Sequence, residues 1–272
     1  MDPCAEEEVV SAPARGEDAD HPDRTAILND LSMRAASGEP IVLALDSAGS
    51  GCSVVVAAGE TVLAAERCTI ARGQAERLLP MIDAVIRKAG LSALALDIVG
   101  TTIGPGSFTG IRVGLAAVRG IALATDARSV GVTGFEAVAA GLASRAREQG
   151  AGFLLVALES RREDLYVQLF DHTYRPLGDP TAVMPAALDK ALSHVIGVAP
   201  LVVAGDAAQR AANMLLPRSC TIVIEGSAPD AAGVLRAVLR RARGGASRVK
   251  VLPLYLRPPD VTVPTAHQGA GG

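Results

Sequence analysis

The segment IVLALDS at residues 41–47 determines the fold, because its pattern returns as LLVALES at residues 154–160. Each copy has five apolar residues followed by an acid and a serine, which is typical of a buried strand that ends at a polar edge. In both places further strand-like segments and turn residues follow. The repeat predicts two related α/β halves that meet near residue 150. The alternative is that two unrelated buried strands share so short a pattern by chance.

Both halves can be traced outward from these copies by hydrophobic periodicity and turn residues. In the first half we predict strands at 41–46, 52–58, 61–68, 97–103 and 129–133, with helices at 74–90, 108–125 and 135–149. In the second half we predict strands at 154–159, 165–170 and 201–206, a turn at 175–178, and helices at 185–194 and 230–244. Two β-β-β-α-β-α halves with mixed sheets form the layout of the actin-like ATPase (ASKHA) fold, an α/β class. A shared fold does not by itself assign an activity.

The two ends of the chain differ from its centre. Residues 1–40 hold ten acids and three bases with little apolar periodicity, which predicts a disordered acidic extension. Translation from Met33 would remove most of it. We expect an N-terminal actin-like subdomain at 41–150, a C-terminal one at 151–257, and a flexible tail at 258–272.

Composition excludes several classes of function. From residue 41 onward the chain has 23 bases and 19 acids, a balance too weak to indicate nucleic-acid binding. Aromatic residues are 3% of the chain and Trp is absent, which argues against base-stacking platforms. The start is acidic, unlike a signal peptide, and no run approaches about 20 uncharged apolar residues. We therefore expect a soluble, cytoplasmic protein without a membrane segment.

Residue types that bind metals or act as nucleophiles are scattered. No two cysteines form a C-x-x-C pair and no two histidines lie at i, i+4, which are the spacings of common metal sites; the residues are Cys4, Cys52, Cys68, Cys220, His21, His172, His194 and His267. No sequence feature places a base beside Ser47, Ser107 or Ser160, and Gly-x-Ser-x-Gly is absent. We expect neither a metal site nor a catalytic residue.

The segment GPGSFTG at residues 104–110 is similar to a phosphate-binding loop only in its glycines. A Walker A loop would continue with Lys and Ser or Thr, but Ile111 and Arg112 follow, and a dinucleotide loop would have glycine where Thr109 stands. Gly104 and Gly106 instead indicate a tight turn, and Ser107 a helix cap. Anion binding by free amides at this turn is left open.

The helix at 108–125 has unusually small residues on two sides. Its predicted core face is Phe108, Ile111, Leu115, Val118 and Ala122. The stripe left outward is Arg112, Ala116, Arg119 and Leu123. This stripe is either covered by another helix of the chain or forms a subunit interface.

Two acids occupy equivalent positions in the repeat. Asp46 and Glu159 each end the first strand of their half, so they could face one another across a cleft between the halves. The alternative is that each caps or pairs locally.

In five segments the chain resembles the TsaB (YeaZ) family of tRNA threonylcarbamoyladenosine biosynthesis proteins. The matching segments are residues 41–56, 77–86, 104–124, 130–137 and 253–261. The most specific of them is GPGSFTGIR followed by a Gly/Ala helix, and YLR at residues 255–257 is a second check.

The resemblance implies a noncatalytic, glycoprotease-like relative of TsaD without a metal-binding histidine pair. TsaD transfers the threonylcarbamoyl group to the adenosine flanking the anticodon of tRNAs that read A-starting codons. The resemblance implies TsaD as heterodimer partner, the ATPase TsaE as a further subunit, contact with tRNA through the complex, and a possible homodimer. ATP and threonylcarbamoyl-adenylate would be used by other subunits, with no cofactor bound here. The implied partner interface is Ser107, Phe108, Thr109, Arg112, Ala116, Arg119, Gly120 and Leu123.

Three departures from the family pattern weaken any claim to a bound nucleotide. Asp46 is followed by Ser-Ala-Gly where Thr-Ala-Thr is common, Gln74 stands where histidine is frequent, and Glu159 replaces Asp. The resulting hypothesis is a vestigial nucleotide cleft at Asp46, Ser47, Gly104 and Gly106.

Two other hypotheses for the function stay open. One is an actin-like kinase or peptidase-like enzyme that uses Asp46 and the loop at 104–110. The other is a self-associating structural dimer without a heterologous partner.

Overall fold

The computed structural model describes residues 38–70, 73–148, 150–197, 199–215, 221–224, 228–244 and 251–257. The predicted tail at 258–272 and all but the last residues of the predicted extension lie outside this part of the chain. The strands are β1 (Ile41–Asp46), β2 (Gly51–Ala58), β3 (Thr61–Thr69), β4 (Ile98–Thr102), β5 (Arg128–Val132), β6 (Phe153–Glu159), β7 (Leu165–Asp171), β8 (Thr181–Val183), β9 (Leu201–Ala204) and β10 (Thr221–Ile224). The helices are α1 (Gln74–Lys88), α2 (Phe108–Thr125), α3 (Gly134–Glu148), α4 (Leu188–Ile196), α5 (Ala208–Ala212) and α6 (Ala231–Arg243), with 3-10 turns at Ala93–Ala95 and Pro185–Ala187.

These strands form two five-stranded sheets with the same internal order. The first is β3-β2-β1-β4-β5 and the second, read in the same direction, is β8-β7-β6-β9-β10. In each sheet the central strand is antiparallel to the next strand in sequence and parallel to the strand on its other side. This is the topology of the actin-like ATPase fold, and it confirms the predicted pair of related halves with mixed sheets.

The central strand β1 is apolar from Ile41 to Leu45 because both of its faces are covered. Leu43 and Leu45 point into the core cluster beneath α1 and α2. Val42 and Ala44 point to the opposite cluster, which contains the apolar face of α6. A continuous apolar run, rather than alternation, is therefore what this position requires.

The last helix returns to the first sheet. Val234 and Val238 of α6 are fully buried in the same cluster as Val42, and a Cβ on Gly100 of β4 would lie 2.4 Å from Val238 Cγ2. Helix α6 thus follows the second half in sequence but completes the core of the first. The division of the chain at residue 150 stays a prediction.

Three elements of the second half were not predicted. They are β8, α5 and β10, with three, five and four residues respectively. Segments this short do not extend over enough residues for hydrophobic periodicity to distinguish them from loops.

By length and composition alone α2 could cross a membrane, and it is the single such helix in the described part of the chain. Its mean hydropathy is 1.3, but it contains Arg112 and Arg119 and is therefore not a run of about 20 uncharged apolar residues. The same measure is met by core helices of soluble proteins; here Val118 is buried against the first sheet, and Ile111 is buried with Leu115 and Val251. Cytoplasmic localisation stays a prediction.

Two glycines of α2 provide a matched test of its packing. A Cβ on Gly110 would lie 1.9 Å from the Ser47 carbonyl oxygen, whereas one on Gly120 would meet nothing within 4 Å. Gly110→Ala should lower the free energy of unfolding by about 2 to 3 kcal/mol through overpacking. Gly120→Ala should raise it by about 0.5 to 1 kcal/mol because alanine favours the helix. Urea denaturation measures both, and equal effects of the two substitutions would contradict the described contact.

Candidate functional site

The loop at residues 104–107 joins β4 to α2 and lies against the end of β1. The Ser107 amide donates to the Ala48 carbonyl at 2.7 Å. The Ser107 side chain accepts from the Gly110 amide at 3.2 Å, so Ser107 is the N-cap of α2, as predicted. The Gly104–Pro105 peptide bond is cis, and the Gly104 carbonyl accepts from the Gly134 amide at 2.8 Å.

Both glycines of this loop are required by close backbone approaches. Gly104 has φ +122°, and a Cβ there would lie 2.6 Å from the Leu254 carbonyl oxygen. A Cβ on Gly106 would lie 2.4 Å from the Ala48 carbonyl oxygen. The Ser107 amide, which a phosphate would need, is committed to Ala48. The loop therefore serves packing, and this geometry favours the structural interpretation over anion binding.

Two serines that follow the repeated strands have structural partners. The Ser47 hydroxyl donates to the Gly110 carbonyl at 2.8 Å and is buried. The Ser160 hydroxyl donates to the backbone oxygen of Asp164 at 2.7 Å and lies 2.8 Å from its carboxylate. Neither has the geometry of an activated nucleophile.

Asp46 is a buried carboxyl group, 4% exposed. Burial raises its pKa to about 6, partly offset by the Thr102 hydroxyl and by the amides of Ala48 and Gly49, while the charge of Asp230 raises it further. Its Oδ1 has no hydrogen-bond partner of good geometry among the described atoms. The group is therefore costly to ionise in the folded protein.

Glu159, the equivalent residue of the second half, has a different environment. Its carboxylate forms an ion pair with Arg210, and its amide donates to Asp206 Oδ1 at 2.9 Å. Glu159 lines the cavity between the halves, but Asp46 does not. Of the two alternatives, facing acids are therefore not supported, because the end of β1 is covered by α2, whereas Glu159 pairs locally with Arg210.

A cavity of about 590 Å³ separates the two halves. It is lined by Ala48, Gly49, Ser50, Pro105, Gly106, Ser107, Phe108, Thr109, Leu158, Glu159, Ser160, Arg161, Tyr166, Asp206 and Pro229. Of the four residues predicted for a vestigial nucleotide cleft, Gly106 is in this lining, whereas Asp46, Ser47 and Gly104 are not.

The charges of the cavity do not suit a nucleotide. Among the described residues that line the cavity, Arg161 is the single cation, against the carboxylates of Glu159 and Asp206. A triphosphate needs several cationic or amide donors, with or without a metal ion. Among the described residues no group of three His, Cys, Asp or Glu side chains could hold a metal ion.

The outward stripe of α2 is exposed, as predicted. Arg112, Ala116, Arg119, Gly120 and Leu123 all lie on the surface, and Leu123 is 87% exposed. The alternative that another helix covers the stripe therefore finds no support in the described part of the chain. We call this stripe, together with Phe108, the α2 surface.

Phe108 was predicted to face the core, and this is wrong. Its ring is 47% exposed because it begins the helix, ahead of the turn that packs on the sheet. The ring packs against Tyr255, with centroids 5.6 Å apart, and the Arg112 guanidinium lies 3.6 Å above it. Tyr255 was missed as part of the site, because nothing in its local sequence signals a contact with a helix far away in the chain.

Comparisons with known proteins agree on one family. Residues 68–222 match the family model described as "TsaD: tRNA N6-adenosine threonylcarbamoyltransferase". An uncharacterized protein of Mycobacterium tuberculosis is 31% identical over 221 residues, which cover 80% of this chain and 92% of that protein. The Escherichia coli tRNA threonylcarbamoyladenosine biosynthesis protein TsaB is 33% identical over 126 residues, 46% of this chain and 52% of that protein.

A solved structure matches the fold over most of the chain. The crystal structure of a Pseudomonas aeruginosa protein described as similar to peptidase YeaZ has a TM-score of 0.69 at 27% identity, covering 80% of this chain and 100% of that one. Fold and cleft thus define an actin-like protein of two related halves that exposes the α2 surface. The chain belongs to the TsaB (YeaZ) family of tRNA threonylcarbamoyladenosine biosynthesis proteins, which is related to TsaD.

Asp46 should make the stability of the protein depend on pH. Burial raises its pKa from the ordinary 3.8 to about 6, so the carboxyl is protonated in the folded protein below about pH 6. Between these values the folded state holds a proton that the unfolded chain has lost, so the free energy of unfolding falls as pH rises. Asp46→Asn should remove this dependence and raise the free energy of unfolding at neutral pH by at most about 3 kcal/mol.

Urea denaturation at a series of pH values measures this effect. Asp83→Asn, which removes an exposed carboxylate on α1, is the control and should keep the wild-type profile. An Asp46→Asn protein that is less stable at every pH would show that the carboxylate makes a stabilising contact.

Proposed function

We propose that this protein is a noncatalytic subunit of a cytoplasmic complex that transfers a threonylcarbamoyl group to the adenosine flanking the anticodon of tRNAs reading A-starting codons. It pairs through the α2 surface with a TsaD-type catalytic subunit, and a TsaE-type ATPase completes the assembly. ATP and threonylcarbamoyl-adenylate are handled by those other subunits, and tRNA is met through the complex. The observation that carries the proposal is the exposed α2 surface.

The shape of the α2 surface suits a helical partner. Ala116 and Gly120 leave the helix backbone nearly bare, so that a second helix can approach closely. Phe108 and Leu123 stand as large exposed apolar groups at opposite ends of this small-residue centre. An apolar helix face of this kind, rimmed by arginines, is typical of protein interfaces.

The cleft supports the noncatalytic part of the proposal. Asp46 is buried away from the cavity, the Ser107 amide is used within the loop, and the Glu159 carboxylate is paired with Arg210. A kinase would need an ionised acid and free phosphate donors in the same cavity.

Calorimetry separates this proposal from an actin-like kinase. Titration of the purified protein with ATP and magnesium should give no tight binding, because the described lining of the cavity offers one arginine and two carboxylates. Tight binding that is lost in Asp46→Asn would favour the kinase and contradict a noncatalytic role.

Co-purification tests the partner directly. The tagged wild-type chain should retain the TsaD-type subunit of its own cells and restore tRNA modification when added to that subunit, while showing no transfer activity alone. Arg112→Glu and Ala116→Asp should each weaken the association by at least about tenfold. Arg112→Glu reverses a charge in the interface, and Ala116→Asp buries a carboxylate there.

Two substitutions on α4 are matched controls for these variants. Lys190→Glu makes the same change of charge at an exposed position, and Val195→Asp places a carboxylate at an exposed apolar one. Both should bind as wild type does. A wild-type chain that does not co-purify with the TsaD-type subunit, with no effect of the α2 substitutions on any association, would refute the proposal.

A further inference from the structure

Strands β2 and β3 bring two cysteines directly opposite each other. Cys52 and Cys68 are partners in the antiparallel register of this hairpin. Both side chains are thiols, and both belong to the core cluster beneath α1, so they point to the same face of the sheet. Their spacing in the sequence gave no signal of this pair, because the pair depends on the register of the hairpin.

The separation of the two residues suits a disulfide bond. The Ile70 amide donates to the Ser50 carbonyl at 3.1 Å, which makes Ser50 and Ile70 a hydrogen-bonded pair. Such pairs recur at every second position of an antiparallel ladder, so Cys52 and Cys68 form the next one, with Cα atoms about 5.5 Å apart. Disulfides join Cα atoms about 4.4 to 6.8 Å apart. The backbone is therefore already in place for the bond.

The Cβ atoms of the pair must come closer for the bond to form. Directly opposite residues have Cβ atoms about 4.5 to 5.5 Å apart, whereas a disulfide needs about 3.5 to 4.5 Å. Strand β3 can supply this movement because, in the described part of the chain, it is the edge strand of its sheet and Cys68 is its next-to-last residue. A bridge formed under this constraint is reduced more easily than a relaxed structural disulfide.

Cys68 is the better placed of the two thiols to meet an oxidant from solvent. It is 8% exposed, against 2% for Cys52. Its neighbours Arg67 and Thr69 are exposed, as the alternation of an edge strand requires. Strand ends open more readily than strand centres, so a small oxidant can reach the Cys68 sulfur.

We propose that Cys52 and Cys68 form a peroxide-sensitive dithiol, which hydrogen peroxide oxidises to an intramolecular disulfide and small thiols reduce again. This modification site is independent of the proposed function. It places a reversible covalent link between β2 and the edge strand of the first sheet.

The oxidation takes two balanced steps. The Cys68 sulfur attacks one oxygen of hydrogen peroxide, the O–O bond breaks, and a sulfenic acid and one water form. The Cys52 sulfur then attacks the sulfur of the sulfenic acid, the S–O bond breaks, and the disulfide and a second water form. The two thiols together lose two protons and two electrons, and peroxide is reduced to two waters.

Peptide mapping tests the pairing. The reduced full-length protein is treated with excess hydrogen peroxide, the remaining thiols are alkylated, and the protein is digested with trypsin. Cleavage after Arg34, Arg67 and Arg72 puts the two cysteines on separate fragments, residues 35–67 and 68–72. We expect mass spectrometry to find these fragments joined, and dithiothreitol to separate them.

The other two cysteines of the chain provide the matched control. Cys4 and Cys220 lie outside the described residues, and the double variant Cys4→Ser/Cys220→Ser should form the bond as wild type does. Cys52→Ser and Cys68→Ser should each abolish it. Failure of the folded wild type and of the double variant to give the joined fragments would overturn the proposal, and so would oxidation of Cys68 to a sulfinic acid without a link.

Reduction of the folded protein tests whether the bond is reversible. A glutathione buffer without denaturant should return the oxidised protein to two thiols, because the bridge is constrained and lies at a strand end. A bond that opens only after unfolding in urea would contradict a reversible dithiol and show a structural disulfide instead.

Hydrogen exchange shows what the bond holds. Oxidation should slow exchange of the Ile70 amide by at least about tenfold, because the link keeps the end of β3 from opening. Ser50, which accepts from this amide, lines the cavity between the halves. Unchanged exchange at Ile70 in the cross-linked protein would refute the placement of the link at this strand end.

Discussion

The backbone of α2 lies against the end of β1 with no side chain between them. Ser47 contacts Gly110 through its carbonyl oxygen and its hydroxyl, and a Cβ on Gly114 would lie 2.7 Å from the same hydroxyl. This approach presses one side of α2 onto the sheet and leaves the opposite side in solvent. The position of the exposed α2 surface, and of the cavity wall formed by the loop before it, therefore depends on glycine at positions 110 and 114.

The same contact explains why two equivalent acids have different environments. After β4 the first half has the 18-residue helix α2, which covers the end of β1 and buries Asp46. After β9 the second half has only the five-residue helix α5, so the end of β6 is left open to the cavity. There Glu159 is solvated enough to keep an ion pair with Arg210. The duplicated topology thus does not make a symmetric cleft.

Elements whose signals are local could be predicted from the sequence. The bounds of α2 agree with the prediction because Ser107 is a cap and an apolar period follows it, and β1 agrees because a fully apolar run ends at Asp46. The relations that were missed are tertiary. The direction of Phe108 depends on where the sheet ends beneath the helix, and its contact with Tyr255 joins residues far apart in the chain. No periodicity encodes either relation.

Residues 251–257 connect the α2 surface to the cleft. Beyond Tyr255, the Arg257 guanidinium lies 2.6 Å from the buried Asp164 carboxylate in the turn between β6 and β7. That turn is held in place by Ser160, which lines the cavity. One extended segment is therefore bonded to the first half at Ile103 and to the second half at Asp164. The α2 surface and the wall of the cavity are therefore joined by one segment, through Tyr255 at one end and Arg257 at the other.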